Sequence, residues 1–163
     1  MGSLTNNSAE NAPTPVILLV ENDEADIFLF RRALQRVRFK GTLRVLGSVT
    51  EARAYLRGVP PFDDRAYYPV PDLIISDMNL ASGETGNDFL AWLRATEPLC
   101  AIPFLFLSGS FVPADRELSH ALGTSGFFAK TGDMEEMVQR VRRMLKFLPP
   151  ERAKSAIVEK VSR

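Results

Sequence analysis

The chain has 163 residues, of which 45% are hydrophobic and 25% charged, as expected for an ordinary globular domain. Its 20 basic and 20 acidic side chains cancel, so the charge balance gives no reason to expect a nucleic-acid or membrane surface. The single cysteine, Cys100, excludes an internal disulfide and a cysteine-based zinc site. No apolar run approaches the ~20 residues of a membrane span, so we expect a cytoplasmic protein.

The chain begins with a polar segment and then a strand–helix unit. Residues 1–15 lack the charged and apolar regions of a signal peptide, and we interpret them as a disordered leader. The apolar run Val16–Val20 predicts a strand that is covered on both faces. A polar segment, Glu21–Glu24, precedes a predicted helix whose core-facing residues are Ile27, Phe30, Leu34 and Val37.

The next unit ends in a long irregular segment. Alternating Leu43, Val45 and Gly47 predict a second strand, and Thr50–Leu56 a short helix. Residues 58–71 contain four prolines and no periodicity, which predicts a surface loop.

Three further strand–helix units follow. Asn87 is the expected cap of the third helix. A stripe of apolar residues runs along the fifth helix from Met134 to Leu148. The predicted elements are a strand at Leu73–Ser76, a helix at Asn87–Ala95, a strand at Pro103–Leu107, a helix at Ala114–Leu122, a strand at Gly126–Ala129 and a helix from about Asp133.

Alternation of five strands with five helices predicts an α/β fold, a doubly wound sheet of parallel strands with right-handed crossovers. We assign residues 16–148 to this domain and 149–163 to a C-terminal tail. Within the tail, Glu151–Val161 can form a short helix that must dock to remain folded. Ligands of such a sheet bind beyond the carboxyl ends of the strands.

Those strand ends carry a selective set of polar residues. Carboxylate and amide oxygens are ligands for a hard cation, and Mg²⁺ fits best. A hydroxyl and an ammonium facing a carboxylate suit a phosphoryl group, with Asp77 as the nucleophile. The residues are Glu21, Asn22, Asp77, Asn79, Ser108 and Lys130.

Four segments in this order resemble the CheY-type receiver domain of response regulators: VILLVENDEADIFL, PDLIISDMNL, FLFLSGS and GFFAKTGD. The resemblance implies a flavodoxin-like sheet with strand order 2-1-3-4-5 and Mg²⁺-dependent phosphotransfer from a sensor histidine kinase. It also implies that the chain catalyses only its own phosphorylation and dephosphorylation. The proline-rich loop and Lys130-Thr131 resemble small regulators partnered with bacterial phytochromes.

The resemblance also implies roles for individual residues. Asp77 would accept the phosphoryl group, and Glu21, Asn22 and the Asn79 carbonyl would hold the metal with it. Lys130 would pair with the phosphate. Ser108 and Phe127 would be the switch hydroxyl and the switch aromatic; a simple core position is the alternative for Phe127, because Phe128 beside it faces the other side and one of the two must be buried.

The chain departs from the family pattern at several positions. Asn22 replaces a carboxylate, from which we expect weaker Mg²⁺ binding; Asp23 would compensate only if the loop shifts. Ala81 replaces a common proline in a loop that is one residue longer before Gly86. Lys130-Thr131 replaces Lys-Pro, so we expect a trans peptide bond.

The predicted fold also occurs with three other functions. A degenerate receiver acting as a constitutive binding module is favoured by Asn22. A haloacid dehalogenase-type phosphatase needs a second aspartate where Asn79 stands. A flavin phosphate would be repelled by Glu21–Glu24.

Finally, we expect a homodimer through the face formed by the fourth helix, fifth strand and fifth helix. Phe111, Val112, Phe147 and Leu148 are its candidate apolar residues.

Overall fold

The computed structural model describes residues 13–80, 83–110 and 112–157. The strands are β1 (Val16–Val20), β2 (Thr42–Leu46), β3 (Leu73–Ser76), β4 (Phe104–Ser108) and β5 (Gly126–Ala129). The helices are α1 (Glu24–Arg36), α2 (Val49–Arg57), α3 (Gly86–Arg94), α4 (Pro113–Ala121), α5 (Met134–Met144) and α6 (Pro150–Ala156). Within these described ranges, none of the helices has the length and apolar character needed to cross a membrane.

The five strands form one parallel sheet in the order β2-β1-β3-β4-β5, which confirms the predicted fold. β1 and β3 pair in the centre, with Leu18 opposite Ile74 and Val20 opposite Ser76. The second strand ends at Leu46, so the prediction that it includes Gly47 is wrong. Because all strands run in one direction, their carboxyl ends share one edge of the sheet.

A separate apolar core lies on each face of the sheet. Ile17 and Leu19 of β1 face α1 and α5, whereas Leu18 and Val20 face α2 and α3. This alternation follows from the two-residue period of a strand. Burying one aliphatic side chain completely stabilises the folded state by roughly 1.5–3 kcal/mol. Because β1 is covered on both faces, all five residues of its apolar run contribute in this way.

Helix starts are defined by side-chain caps. Asp23 caps α1, Ser48 caps α2 and Asp133 caps α5. The predicted cap of the third helix, Asn87, is wrong: Thr85 caps α3 and forms a capping box with Asp88. The threonine hydroxyl accepts from the Asp88 N–H, and the Asp88 carboxylate accepts from the Thr85 N–H.

Asn87 instead links α3 to α4 through a buried polar contact. The Ser119 hydroxyl donates to Asn87 Oδ1 over 2.6 Å, and the Asn87 amide donates to the Asp115 carbonyl over 3.1 Å. All nine residues of α4 belong to the described part of the chain, and of these only Ser119 is buried. Hydrogen bonds therefore replace much of the apolar contact that normally holds a surface helix.

The segment 58–71 contains no strand or helix, as predicted, but it is firmly anchored. The Arg65 guanidinium donates to the carbonyls of Tyr55, Leu56 and Tyr68 at 2.7–3.1 Å. Tyr55 and Tyr68 also pack edge to face, with ring centroids 5.9 Å apart. The loop therefore covers α2 as part of the packed structure.

The tail helix docks at the amino-end edge of the sheet. Ala156 is buried in the core that contains α1 and α5, and Ile157 forms an antiparallel bridge with Phe39. The Lys40 N–H donates to the Ala156 carbonyl over 2.8 Å. The expected helix continued to Val161, but residues 158–163 lie outside those the structure describes.

A salt bridge fixes α6 to the start of the sheet. Arg152 Nε lies 3.2 Å from Asp72 Oδ1, and its Nη1 donates to the Pro13 carbonyl over 2.7 Å. The other oxygen of Asp72 accepts from the Val16 N–H at 2.8 Å. We call Asp72 and Arg152 the tail clamp.

Candidate functional site

Asp77 lies at the carboxyl end of β3, next to the end of β1. Its N–H donates to the Val20 carbonyl over 3.0 Å, which continues the strand pairing beyond Ser76. Its Oδ1 accepts from the N–H groups of Met78 and Asn79 at 2.7 and 3.4 Å. The backbone therefore orients this mostly buried carboxylate.

Lys130 follows β5 and joins three carboxylates. Its Nζ lies 2.7 Å from Glu21 Oε2, 2.7 Å from Asp26 Oδ2 and 3.0 Å from Asp77 Oδ2. An ammonium has three N–H donors, so each carboxylate can accept one of them. We call these four residues the lysine cluster.

The charges of the lysine cluster do not balance, because three carboxylates face one ammonium. Burial lowers the pKa of Lys130, but hydrogen bonds to Asp26, Glu21 and Asp77 raise it by more, so the pKa lies above its usual value. Lys130 therefore stays protonated, and two negative charges remain at the site.

Asp26 was not identified from the sequence. The signal for it was helical periodicity, because Asp26 lies one turn before the buried Phe30 and therefore on the inward face of α1.

The two predicted metal positions after β1 differ in their surroundings. Glu21 is buried, and its Oε1 accepts from the N–H groups of Asn22 and Asp23 at 2.9 and 2.8 Å. Asn22 is exposed. The Asp23 carboxylate accepts from Ala25 and Asp26 N–H as the α1 cap. This carboxylate is therefore engaged by the start of α1.

The donor atoms suit a hard divalent cation. Glu21 and Asp77 supply carboxylate oxygens, and the exposed Asn22 and Asn79 add amide and carbonyl oxygens at the same edge. Across the described ranges, no three His, Cys, Asp or Glu side chains are grouped to hold a metal, since the acidic groups converge on Lys130. The residual negative charge nevertheless favours a cation there.

Ser108 and Phe127 occupy neighbouring strands. Ser108 ends β4, is buried, and donates from its hydroxyl to the Ser110 carbonyl over 3.2 Å. Phe127 is half-buried and stacks on Phe106 with centroids 5.1 Å apart. The His120 ring of α4 also packs on Phe127, with ring centroids 5.5 Å apart. Phe128, on the opposite face, is the buried member of the pair.

The loop after Asp77 returns tightly to α3. The Gly86 N–H donates to the Met78 carbonyl over 2.8 Å, and Asn79 bridges Thr85. A Cβ on Gly86 would lie 2.6 Å from the Asp77 carbonyl oxygen, so only glycine fits this approach. Ala81 lies outside the described residues.

The turn after Lys130 has a trans peptide bond before Thr131, as expected. The Thr131 hydroxyl donates to Glu136 Oε2 over 2.8 Å and accepts from the Asp133 N–H at 3.1 Å. These bonds connect the lysine-bearing turn to the first turn of α5.

Comparisons with known proteins agree with this geometry. No family model matches the chain. Response regulator Rcp1 of Synechocystis sp. is 28% identical over 135 residues, which cover 83% of this chain and 89% of the relative. The crystal structure of the phosphorylated cyanobacterial phytochrome response regulator RcpA matches with a TM-score of 0.74 and 29% identity, covering 83% of this chain and 94% of that one.

Another similar structure is the Mn²⁺-bound form of Rcp1, with a TM-score of 0.73 and 27% identity over 83% of this chain and 99% of that one. Another relative, the probable methanogenesis regulatory protein FilR2 of Methanothrix harundinacea, is 25% identical over 81% of this chain and 82% of its own length. In its strand order and in the residues at its strand ends, the chain is therefore similar to response regulators with a CheY-like receiver fold, and among them to phytochrome response regulators.

Proposed function

We propose that the chain accepts a phosphoryl group on Asp77 from a sensor histidine kinase and signals through phosphorylation-dependent protein interaction. The observation that carries the proposal is the 3.0 Å contact between Asp77 Oδ2 and Lys130 Nζ at the carboxyl-end edge of the sheet. A nucleophilic carboxylate beside an ammonium is the arrangement that phosphoryl transfer to aspartate requires.

In the proposed reaction, an Asp77 carboxylate oxygen attacks the phosphorus of a phosphohistidine. The new O–P bond forms as the N–P bond breaks, and the imidazole keeps the electron pair and takes up a proton. The backbone N–H groups of Met78 and Asn79 orient the carboxylate, and Lys130 stabilises the charge on the transferred group. A divalent cation, Mg²⁺ in this proposal, would be held by Glu21, Asn22, Asp77 and Asn79 and would neutralise phosphoryl oxygens.

The proposed signal is a local rearrangement next to the phosphate. Ser108 would turn its hydroxyl toward the phosphoryl oxygens, and Phe127 would move inward into the released space. The half-buried position of Phe127 under α4 supports this role, because a fully packed ring would have no second position. The chain would then act on no substrate except its own Asp77.

A bacteriophytochrome is the kinase we propose, because the similar proteins include several named phytochrome response regulators. A cytoplasmic location is part of the same proposal, and the single cysteine suits a reducing compartment.

The kinase would dock beside the lysine cluster. A groove of about 420 Å³ lies there, lined by residues of α1 and of the turn after β5. Phe28 borders this groove and is 63% exposed, so its ring is available for contact with a partner. Phe28→Ala should slow transfer from the kinase without changing phosphorylation by acetyl phosphate.

The decisive experiment measures phosphorylation directly. The protein is incubated with acetyl phosphate or a phosphorylated sensor kinase, with Mg²⁺ or with a chelator, and the phosphoprotein is separated on a phosphate-affinity gel. Mg²⁺-dependent labelling that is lost in Asp77→Asn supports the proposal. A chain that takes up no phosphate under any condition refutes it.

Asn22 favours a second candidate, a receiver that binds partners constitutively. The exposed amide there removes one charge from the metal positions. Partner binding that is equal for the parent protein and Asp77→Asn would establish this alternative.

We also propose a homodimer through α4, β5 and α5. The exposed Val112 and Leu118 support it, whereas Leu148, expected at the interface, is buried in the chain's own core. Phe147 is half-buried and packs against Phe128, and Phe111 lies outside the described residues. Light scattering over a concentration series decides, since a monomer mass at high concentration excludes the dimer.

A further inference from the structure

We infer that Asp26 is a positioning residue of the phosphoryl-transfer site: it holds Lys130 beside Asp77 and supplies the negative charge that Asn22 lacks. This inference rests on the proposed function for its phosphorylation readout. The carrying observation is the 2.7 Å contact between Asp26 Oδ2 and Lys130 Nζ.

Asp26 differs from the other two partners of Lys130 in its role in the proposed reaction. Asp77 gives up its free carboxylate when it becomes an acyl phosphate, and Glu21 is also a proposed metal position. Asp26 has neither role, so its contact with Lys130 can persist while the other two change. The lysine then keeps one fixed anchor and has donors free for the phosphoryl oxygens.

The backbone of Asp26 is well fixed for such a role. Its N–H donates to Asp23 Oδ1 over 3.0 Å, within the cap of α1. One turn later the buried Phe30 secures the same helix face to the core. The carboxylate therefore projects from a helix start that the cap and the core hold in place.

The charge count supports the second part of the inference. A site with two carboxylates after β1, one after β3 and one lysine would have two net negative charges. Here Asn22 is neutral, and the third carboxylate is Asp26, so the same two net charges remain. Asp26 acts through Lys130, because it pairs with the ammonium that would otherwise neutralise the charge of Glu21 or Asp77.

Three variants test the inference. Asp26→Asn removes the charge at nearly constant shape, and Asp26→Glu restores it. Glu24→Gln is the matched control, because Glu24 lies in the same helix turn and is exposed, and within residues 13–80, 83–110 and 112–157 it forms no ion pair. Each variant is compared with the parent chain in Mg²⁺ and Mn²⁺ titrations, acetyl phosphate labelling and urea unfolding.

We expect Asp26→Asn to weaken Mg²⁺ binding about threefold to tenfold and to slow labelling about tenfold, because both the charge and the lysine position are lost. Asp26→Glu should recover the metal affinity, and Glu24→Gln should change either value less than twofold because exposed charges are screened. A role in folding alone would move only the unfolding midpoint.

Equal metal affinity and labelling rate in Asp26→Asn and Glu24→Gln would overturn the inference, as would a failure of Asp26→Glu to recover metal affinity. If the parent chain takes up no phosphate, the proposed function fails, but the metal titrations still decide the role of Asp26.

Discussion

The two edges of the sheet each carry an ion-paired cation, but the two clusters differ in charge balance. At the amino-end edge, Arg152 faces one carboxylate, Asp72, and both side chains also bond to backbone groups. At the carboxyl-end edge, Lys130 faces three carboxylates and the cluster keeps two negative charges. The charges of the tail clamp are therefore balanced, whereas the lysine cluster keeps a net negative charge that favours a further cation.

The difference in charge balance matches the different roles of the two clusters: the tail clamp holds α6, and the lysine cluster contains the proposed site of phosphorylation. A balanced pair gains nothing from a further ligand, so its role ends with holding α6 in place. An unbalanced cluster costs folding free energy through repulsion between like charges, and a bound cation can lower that cost. We expect substitutions at the two edges to differ in the same way.

The largest effect should come from removing the proposed nucleophile. Asp77→Asn should abolish labelling, a loss of at least about a hundredfold, because the amide oxygen is a poor nucleophile. The fold should persist, since the change keeps the side-chain shape and removes a repelling charge. Labelling by acetyl phosphate, together with a circular dichroism spectrum, checks both statements, and labelling that survives would move the phosphorylation site elsewhere.

Removing the cation of the lysine cluster should destabilise the protein. Lys130→Met leaves three carboxylates without a counter-charge, at an expected cost of about 2 kcal/mol at pH 8. The cost should shrink at high salt, because screening weakens the repulsion between the carboxylates. Urea unfolding of parent and variant at low and at high salt measures it, and an equal cost at both would show that the carboxylates do not repel.

The alkaline side provides a separate check on Lys130. Its pKa is raised in the folded chain, so its contribution to stability is complete below the unfolded value of about 10.4 and is lost only as the pH rises through the folded value. The difference in unfolding free energy between parent and Lys130→Met should therefore stay constant from pH 8 to pH 10. A decline within that window would mean that the lysine loses its proton earlier.

Adding a carboxylate at the proposed metal positions should increase the difference in charge between the two edges of the sheet. Asn22→Asp should tighten Mg²⁺ binding about tenfold and speed labelling, because a direct charge attraction is added. Calorimetric titration measures the affinity. An unchanged value would show that residue 22 does not bind the metal.

The smallest effect is expected at the tail clamp. Arg152→Met should cost about 0.5–1 kcal/mol, the range of a partly exposed ion pair, and should leave labelling unchanged. Urea unfolding and acetyl phosphate labelling of the same preparation test this pair of statements. A slower labelling rate would mean that the two edges are coupled.

Much of the fold could be predicted because the strands are short apolar runs with helical periodicity between them. Boundaries were less accurate where caps decide them. Thr85 and Asn87 are both good cap residues, and only the reciprocal bonds with Asp88 select Thr85. The site residues at the strand ends could be predicted, because parallel strands place their carboxyl ends at one edge. Asp26 could not be found in this way, since it lies in a helix. The docking of α6 was also not predictable, because it depends on long-range contacts with Phe39 and Asp72.

The hydrogen bond from Ser119 to Asn87 attaches α4 to α3, and water can replace such a bond. Because no large apolar side chain of this helix is buried, sliding or tilting α4 would expose little hydrophobic surface. Its two hydrogen bonds to Asn87, one from the Ser119 hydroxyl and one to the Asp115 carbonyl, could be exchanged for bonds to solvent. Elements held in this way open at low free energy. The face that covers Phe127 can therefore change its outline at little cost in buried apolar surface.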